Sequence, residues 1–284
     1  MTSLPPYLTA AFRPRDKNAS KYSVGTVVVI GGSGHYISAP VISALGARSA
    51  GAGLVQLVVP DASRLGAATL VPEATFTKLT PTCVPPKADV TVMGMGLGRG
   101  VASELIVSRL LSGSKGRFVI DADALGILAS WYGKQDGYDP AQGQELVLTP
   151  HEGEAARLLG EKREAVAADR VGAAKEMASR YGATVVLKGA GTIVVSPDCS
   201  RVYVNDTGNP FMALGGMGDL LSGIIGARWA YLKCDAFLAA ASAVWLHGLA
   251  GDAVVEDAME PSIVNVAAKT GSLRVKLDMG GVSI

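Results

Sequence analysis

Residues 24–30 form a run of apolar and β-branched residues that ends abruptly in Gly31-Gly32-Ser33-Gly34, and the same grammar recurs along the chain. A strand without polar alternation must be covered on both faces. A glycine cluster at its end turns the backbone and lets a ligand approach it closely. Residues 38–50 then read as a helix of small side chains, and residues 54–59 as the next strand, stopped by Pro60-Asp61. Strand, helix and strand in this span make a βαβ unit.

The unit repeats. Residues 89–93 lead into Gly94-Met95-Gly96-Leu97-Gly98, and residues 117–120 deliver Asp121-Ala122-Asp123. Residues 145–148 end at Thr149-Pro150, and residues 184–187 at Lys188-Gly189-Ala190-Gly191-Thr192. Residues 102–111, 151–159 and 164–181 read as helices, the last with Val171, Ala174, Ala178 and Tyr181 as its apolar stripe. A hairpin pair is expected at 193–196 and 202–204, followed by apolar helices at 217–231 and 235–255 and a shorter one after Pro261. Beyond Thr270 no period is legible, and the polar stretch 133–144 reads as an exposed loop. Alternation without a linker or repeat predicts a single α/β domain over residues 1–284, with a largely parallel sheet between helix layers.

Composition narrows the partners. With 26 basic and 25 acidic residues the net charge is +1, which argues against a nucleic-acid binder working through a broad basic surface. Cys83, Cys199 and Cys234 form no C-x-x-C pair and read as thiols in a reducing cytoplasm. The N-terminus carries no basic-then-apolar signal pattern. The most apolar stretch, 236–250, contains His247 between Asp235 and Asp252, and reads as a buried helix rather than a membrane span.

In open α/β sheets ligands bind outside the carboxyl ends of the strands, where most of these glycine and aspartate clusters fall. The fullest segment runs from Asn209 through Gly215-Gly216-Met217-Gly218-Asp219 into an apolar helix. Amides of such a turn, with the helix dipole behind them, suit a phosphoryl group. Asp219 in the first helical turn would then take a proton from an attacking hydroxyl; the alternative is that it only caps the helix. Lys188 beside Gly189, Ala190, Gly191 and Thr192 suits phosphate, or is an exposed lysine on a tight turn. Gly31-Gly32-Ser33-Gly34-His35 lacks the third glycine of a dinucleotide fingerprint, and no Walker-type loop occurs. His151 and Glu154 share a helical face and read as substrate contacts rather than metal ligands, with a dipole-favoured charge as the alternative for Glu154. His35 and His247 read as structural. Asp123 reads as a helix cap, and Asp121 is left open between positioning a hydroxyl and a hydrated Mg²⁺.

Taken in order, Gly31-Gly32-Ser33, the 49–55 segment, Gly96-Leu97-Gly98, Asp121-Ala122-Asp123-Ala124-Leu125, Thr149-Pro150-His151-Glu152-Gly153-Glu154, Leu187-Lys188-Gly189-Ala190 and Gly208-Asn209-Pro210 with Gly218-Asp219 resemble the NAD(P)H-hydrate dehydratases. The resemblance implies a single ribokinase-like, three-layer α/β/α domain without an N-terminal epimerase domain. It implies dehydration of (6S)-NADHX and NADPHX, a nicotinamide-nucleotide repair driven by phosphoryl transfer from ADP (or ATP) with Mg²⁺. By match, Asp219 is the base and also touches substrate. Lys188, Gly189, Ala190, Gly191, Thr192 and Gly218 hold the nucleotide, and Ala39, Gly98 and His151 contact the hydrated dinucleotide. Met217 stands where the family usually has Thr, and Met95 where Pro is common. A cytoplasmic homo-oligomer, up to a tetramer, working beside a separate NAD(P)HX epimerase follows from the same resemblance, with no nucleic acid and no membrane as partner. Two other readings stay open: a small-molecule alcohol kinase of this fold, and a catalytically silent nucleotide-binding protein.

Overall fold

In the computed structural model, which describes residues 4–113, 115–131 and 143–280, the apolar runs become β1 (Thr26–Ile30), β2 (Leu54–Val59), β4 (Val90–Met93), β5 (Arg117–Ile120), β6 (Glu145–Leu148), β7 (Thr184–Leu187), β8 (Ile193–Val195) and β9 (Val202–Val204). A strand that the pattern did not announce, β3 (Thr75–Lys78), pairs with β2 at the sheet edge, where its residues stay partly or fully exposed. The single sheet has the order β3-β2-β1-β4-β5-β6-β7-β8-β9. Strands β1 to β7 run parallel, and β8 and β9 turn antiparallel.

The helices are α1 (Lys21–Val24), α2 (Ala39–Ser49), α3 (Arg64–Leu70), α4 (Val101–Leu111), α5 (Ala122–Trp131), α6 (Glu152–Leu159), α7 (Arg163–Ala168), α8 (Arg170–Tyr181), α9 (Met217–Leu232), α10 (Ala236–Glu256) and α11 (Ile263–Asp278). Strand side chains alternate between two cores. Val27 and Val29 of β1 join the core with α2, α9, α10 and α11. Val28 and Ile30 join the core with α4, α5, α6 and α8. Helices α2 and α9 meet backbone to backbone: a Cβ on Gly46 would stand 2.1 Å from the Leu220 carbonyl oxygen, and one on Gly223 1.8 Å from that of Ser43. Only glycine fits there, and the contact presses the start of α9 onto the strand ends.

Three local expectations give way to better-determined structure. The helix expected over 164–181 breaks at Asp169, whose side chain accepts from the Gly172 amide and caps α8. The buried stripe of α8 is Ala174, Met177, Ala178 and Tyr181, while Val171 is exposed. The tail is more regular than it reads, since α11 continues to Asp278 and buries Val266, Ala267, Thr270, Leu273 and Leu277 on one side. The stretch read as a loop over 133–144 lies, but for Gly143 and Gln144, outside the described residues.

Helix α10 is long and apolar enough to cross a membrane, yet 78% of its apolar window is buried inside the protein. It is a core helix. Its apolar surface is spent within the subunit.

Candidate active site

The strand order reverses its direction of growth between β1 and β4, and a parallel sheet opens a crevice at such a switch point. The two loops that flank it are stitched together by the Gly32 amide donating to the Met95 carbonyl at 2.9 Å. Met95 is fully buried beneath this contact. Ala39, the first residue of α2, borders the crevice on one side and the Gly96-Leu97-Gly98 turn on the other. Gly98 has φ +79°, and its amide donates to Asp123 Oδ2 at 2.9 Å. Asp123 also accepts from Arg99 Nε at 3.1 Å. Asp123 is therefore not the helix cap it was read as: α5 already starts at Ala122, and the carboxylate is used to pin the glycine turn.

The next strand ends carry charge. Asp121, at the end of β5, is 1% exposed, and Ala122 after it adopts φ +49°, a conformation that costs a residue with a Cβ about 1 kcal/mol. Asp121 Oδ1 accepts from Lys188 Nζ at 2.7 Å and from the Ala122 amide at 2.8 Å. Asp121 Oδ2 accepts from the hydroxyl of Ser222, on the first turns of α9. One buried carboxylate thus ties together the ends of β5 and β7 and the helix that carries Asp219. Ser222 had no signature in the sequence beyond its place one turn after Asp219.

His151 caps α6. Its Nδ1 accepts from the Gly153 and Glu154 amides at 3.0 and 3.2 Å, and Glu154 Oε2 accepts in return from the His151 amide at 2.8 Å. This is a capping box with histidine in the place usually taken by Ser or Thr. Its Nε2 lies 3.4 Å from Glu154 Oε1, and the ring is half exposed, so a face of the imidazole rather than a free nitrogen is offered to a ligand. Glu154 is buried and lies 3.8 Å from Lys188 Nζ, so it does more than meet the helix dipole.

Lys188 opens the loop after β7. Burial alone would lower its pKa, but Asp121 and Glu154 outweigh that and hold the ammonium above its ordinary value. Arg170 binds the carbonyls of this loop from behind, donating to Ala190 at 2.6 Å and to Gly191 and Lys188 at 3.3 Å. The Thr192 hydroxyl donates to the Gly189 carbonyl at 2.9 Å. With the carbonyls drawn back, the amides of Gly189, Ala190 and Gly191 make no hydrogen bond to the described residues. Such a set of free donors is an anion cradle.

The roof is the start of α9. Gly216 takes φ +94° as the helix turns in, and the first-turn amides of Gly218 and Asp219 have no acceptor among the described residues. A Cβ on Gly218 would stand 3.2 Å from Lys188 Nζ, so glycine lets the ammonium and the helix start close up. Burial first, and the Asp121 carboxylate second, push the Asp219 pKa up to about 7, against the pull of Lys188. A carboxyl near neutrality is suited to gaining and losing a proton in turnover.

Lys188, Gly189, Ala190, Gly191, Thr192 and Gly218 border one cavity of about 500 Å³. Ala39, Gly98 and His151 do not line it; they lie at the ends of β1, β4 and β6, along the same edge of the sheet. The cavity's far wall comes from the loop with Asn205 and Thr207, from Met217 and Leu221, and from Val244 and His247 of α10. His247 borders this cavity rather than serving the core alone, and His35 is exposed beside the first glycine turn. Among the described residues no group of three or more His, Cys, Asp or Glu is arranged to hold a metal ion.

The family model described as NAD(P)H-hydrate dehydratase matches residues 27–269. The ADP-dependent (S)-NAD(P)H-hydrate dehydratase of Neisseria meningitidis is 38% identical over 254 residues, which cover 87% of this chain and 83% of that protein. The bifunctional NAD(P)H-hydrate repair enzyme Nnr of Gloeobacter violaceus is 37% identical over 91% of this chain, which spans 50% of that longer protein. Among solved structures, the ADP/ATP-dependent NAD(P)H-hydrate dehydratase of Bacillus subtilis co-crystallised with ATP and Mg²⁺ superposes with a TM-score of 0.83, at 25% identity, over 95% of this chain and 96% of that one.

Proposed function

The chain belongs to the NAD(P)H-hydrate dehydratase family, and on that premise we propose that it returns NADHX and NADPHX to NADH and NADPH at the expense of ADP or ATP. The observation that carries the residue assignment is the convergence of free loop amides, Lys188 and Asp219 around Gly218. The amides of Gly189, Ala190 and Gly191, together with those at the start of α9, receive the phosphates of the nucleotide. Lys188, held in place by Asp121 and Glu154, neutralises charge as it builds on the transferred phosphoryl group. Asp219 accepts the proton of the ring hydroxyl while that oxygen bonds to phosphorus and the bond to the leaving nucleotide breaks. The phosphate ester then leaves: its C–O bond breaks, the adjacent carbon releases a proton, and the ring double bond returns. Hydroxide would be a poor leaving group and phosphate is a good one, which is the chemical reason for spending a nucleotide.

The hydrated dinucleotide lies along the crevice, against Ala39, the Gly98 turn and the exposed face of His151. Mg²⁺ fits this set in the way it usually meets nucleotides, through phosphate oxygens and water with one or two carboxylates. Both oxygens of Glu154 are engaged by His151, so the ion would be held mainly through phosphate oxygens and water, where it would neutralise phosphate charge. A cytoplasmic location, assembly as a homo-oligomer and work beside an epimerase remain part of this proposal; the longer bifunctional relatives support the last. The test is absorbance at 340 nm after mixing the protein with NADHX, Mg²⁺ and either ADP or ATP. A rise with one nucleotide is expected and names the donor. Nucleotide consumption with an added alcohol but no rise with NADHX would point instead to an alcohol kinase.

A further inference from the structure

Two polar side chains that line the cavity beside the phosphate loop make no hydrogen bond or ion pair with the described residues: Asp206, which is exposed, and His247, which is buried. His247 is 9% exposed, and its Nε2 is shut away from solvent without a hydrogen-bond partner. Its Nδ1 makes no hydrogen bond to the described residues but is not shut away, and the ring borders the cavity of about 500 Å³, so Nδ1 is the nitrogen a ligand can reach. A ring this buried that leaves one unpartnered nitrogen within reach of a cavity is placed to bond a polar group of whatever fills it.

Apart from Asp206, the other polar groups of this wall are spent. Asn205 accepts from the Tyr203 and Thr207 hydroxyls and donates to the Thr207 carbonyl. Asn209 donates to Asp252, which also takes the Gly208 amide. Thr207 donates to the Trp245 carbonyl, one helical step from His247. The remaining lining near the ring is apolar, from Met217, Leu221 and Val244.

We propose that His247 is the residue that reads the nucleoside half of the phosphoryl donor, through one hydrogen bond to its base or ribose. Phosphate is not its partner, because Lys188 and the free loop amides already occupy that end of the cavity. Burial also pushes the ring's pKa down to about 4, so at neutral pH it meets its ligand uncharged, as one donor and one acceptor. This inference rests on the nucleotide reading of the cavity, though not on the fate of NADHX.

The experiment is calorimetric titration of the wild type, His247→Leu and His247→Gln with ADP, 2′-deoxy-ADP, 3′-deoxy-ADP and pyrophosphate, each with Mg²⁺. His247→Leu should bind ADP about tenfold more weakly, the size of one lost hydrogen bond. His247→Gln, which keeps a donor and an acceptor, should recover most of it. Pyrophosphate should bind all three proteins alike. Loss of the His247→Leu effect with one deoxy analogue assigns the bond to that hydroxyl, and its persistence with both assigns it to the base. Without ligand, His247→Leu should melt at or above the wild-type temperature, since it removes an unsatisfied buried group. That rise keeps a binding defect distinct from misfolding. Equal ADP affinity in His247→Leu, or an equal loss for pyrophosphate, overturns the inference alone. A wild type that binds neither ADP nor ATP overturns the nucleotide reading beneath it.

Discussion

The two ends of the cleft are built on different principles. At the ends of β1 and β4 the surface is backbone: the Gly32 amide on the Met95 carbonyl, and the Gly98 turn pinned by Asp123. At the ends of β5 and β7 it is charged side chains, three carboxylates around one ammonium, with Asp219 facing Lys188 across the start of α9. Shape at one end and charge at the other suit a bulky substrate that must be held and a small group that must be transferred. Substitutions should therefore act on different measured quantities at the two ends.

The largest effect is expected at Asp219. Asp219→Asn should lower turnover by about 10³-fold, the scale of a lost general base, while ADP affinity stays within about threefold. Retained turnover would make Asp219 a helix cap and remove the chemistry from this end. Lys188→Met should cost about 10²-fold in kcat/KM, read mainly in kcat, and should add to the Asp219 effect less than independently. At the backbone end, Gly98→Val forces a β-branched residue to a positive φ. It should raise the KM for the hydrated dinucleotide about tenfold with ADP affinity unchanged. If ADP affinity falls equally, the two ends are not separate.

The smallest effect is one of stability. The folded pKa of Asp219, about 7, lies above its ordinary 3.8, so the protonated form is favoured by folding. That stability is present below pH 4 and is lost as pH rises through 7. Discounted for a carboxyl that keeps some solvent contact, the loss is about 1–2 kcal/mol. Urea unfolding at pH 5 and pH 8 should show the wild type losing that much relative to Asp219→Asn, which has no charge to desolvate.

The same contrast explains what the sequence made legible. The parallel sheet was readable because unalternating β-branched runs ending in glycine admit few other arrangements, and the exposed edge strand β3 escaped because its residues carry no such pattern. The charged end announced itself through Lys188 and Asp219, since a lysine and an aspartate beside glycines are unusual neighbours. Ala39 and Gly98 have no side-chain chemistry to announce, and only resemblance pointed to them. Asp121 was left open because its meaning lies in two contacts with residues distant in the chain, Lys188 and Ser222. His151 looked like a free ligand and turns out to be a cap with both nitrogens turned to its own helix, while His247 looked structural and makes no hydrogen bond to the described residues. In both, what decides the role is where each nitrogen's hydrogen bond goes, and that depends on tertiary contacts.

The central claim is that Asp219 works as a base whose proton affinity is set by its burial and by Asp121. The most direct test is the pH dependence of turnover at 340 nm with saturating nucleotide, wild type beside Asp121→Asn. Turnover of the wild type should rise with pH as Asp219 ionises, and the nucleotide's own ionisation contributes equally to both proteins. Removing the Asp121 charge, which raises the Asp219 pKa, lowers the cost of ionising Asp219. The rising limb of Asp121→Asn should therefore move to lower pH, whatever the loss in its plateau. Limbs that coincide would contradict the claim and leave Asp121 as a structural tie alone.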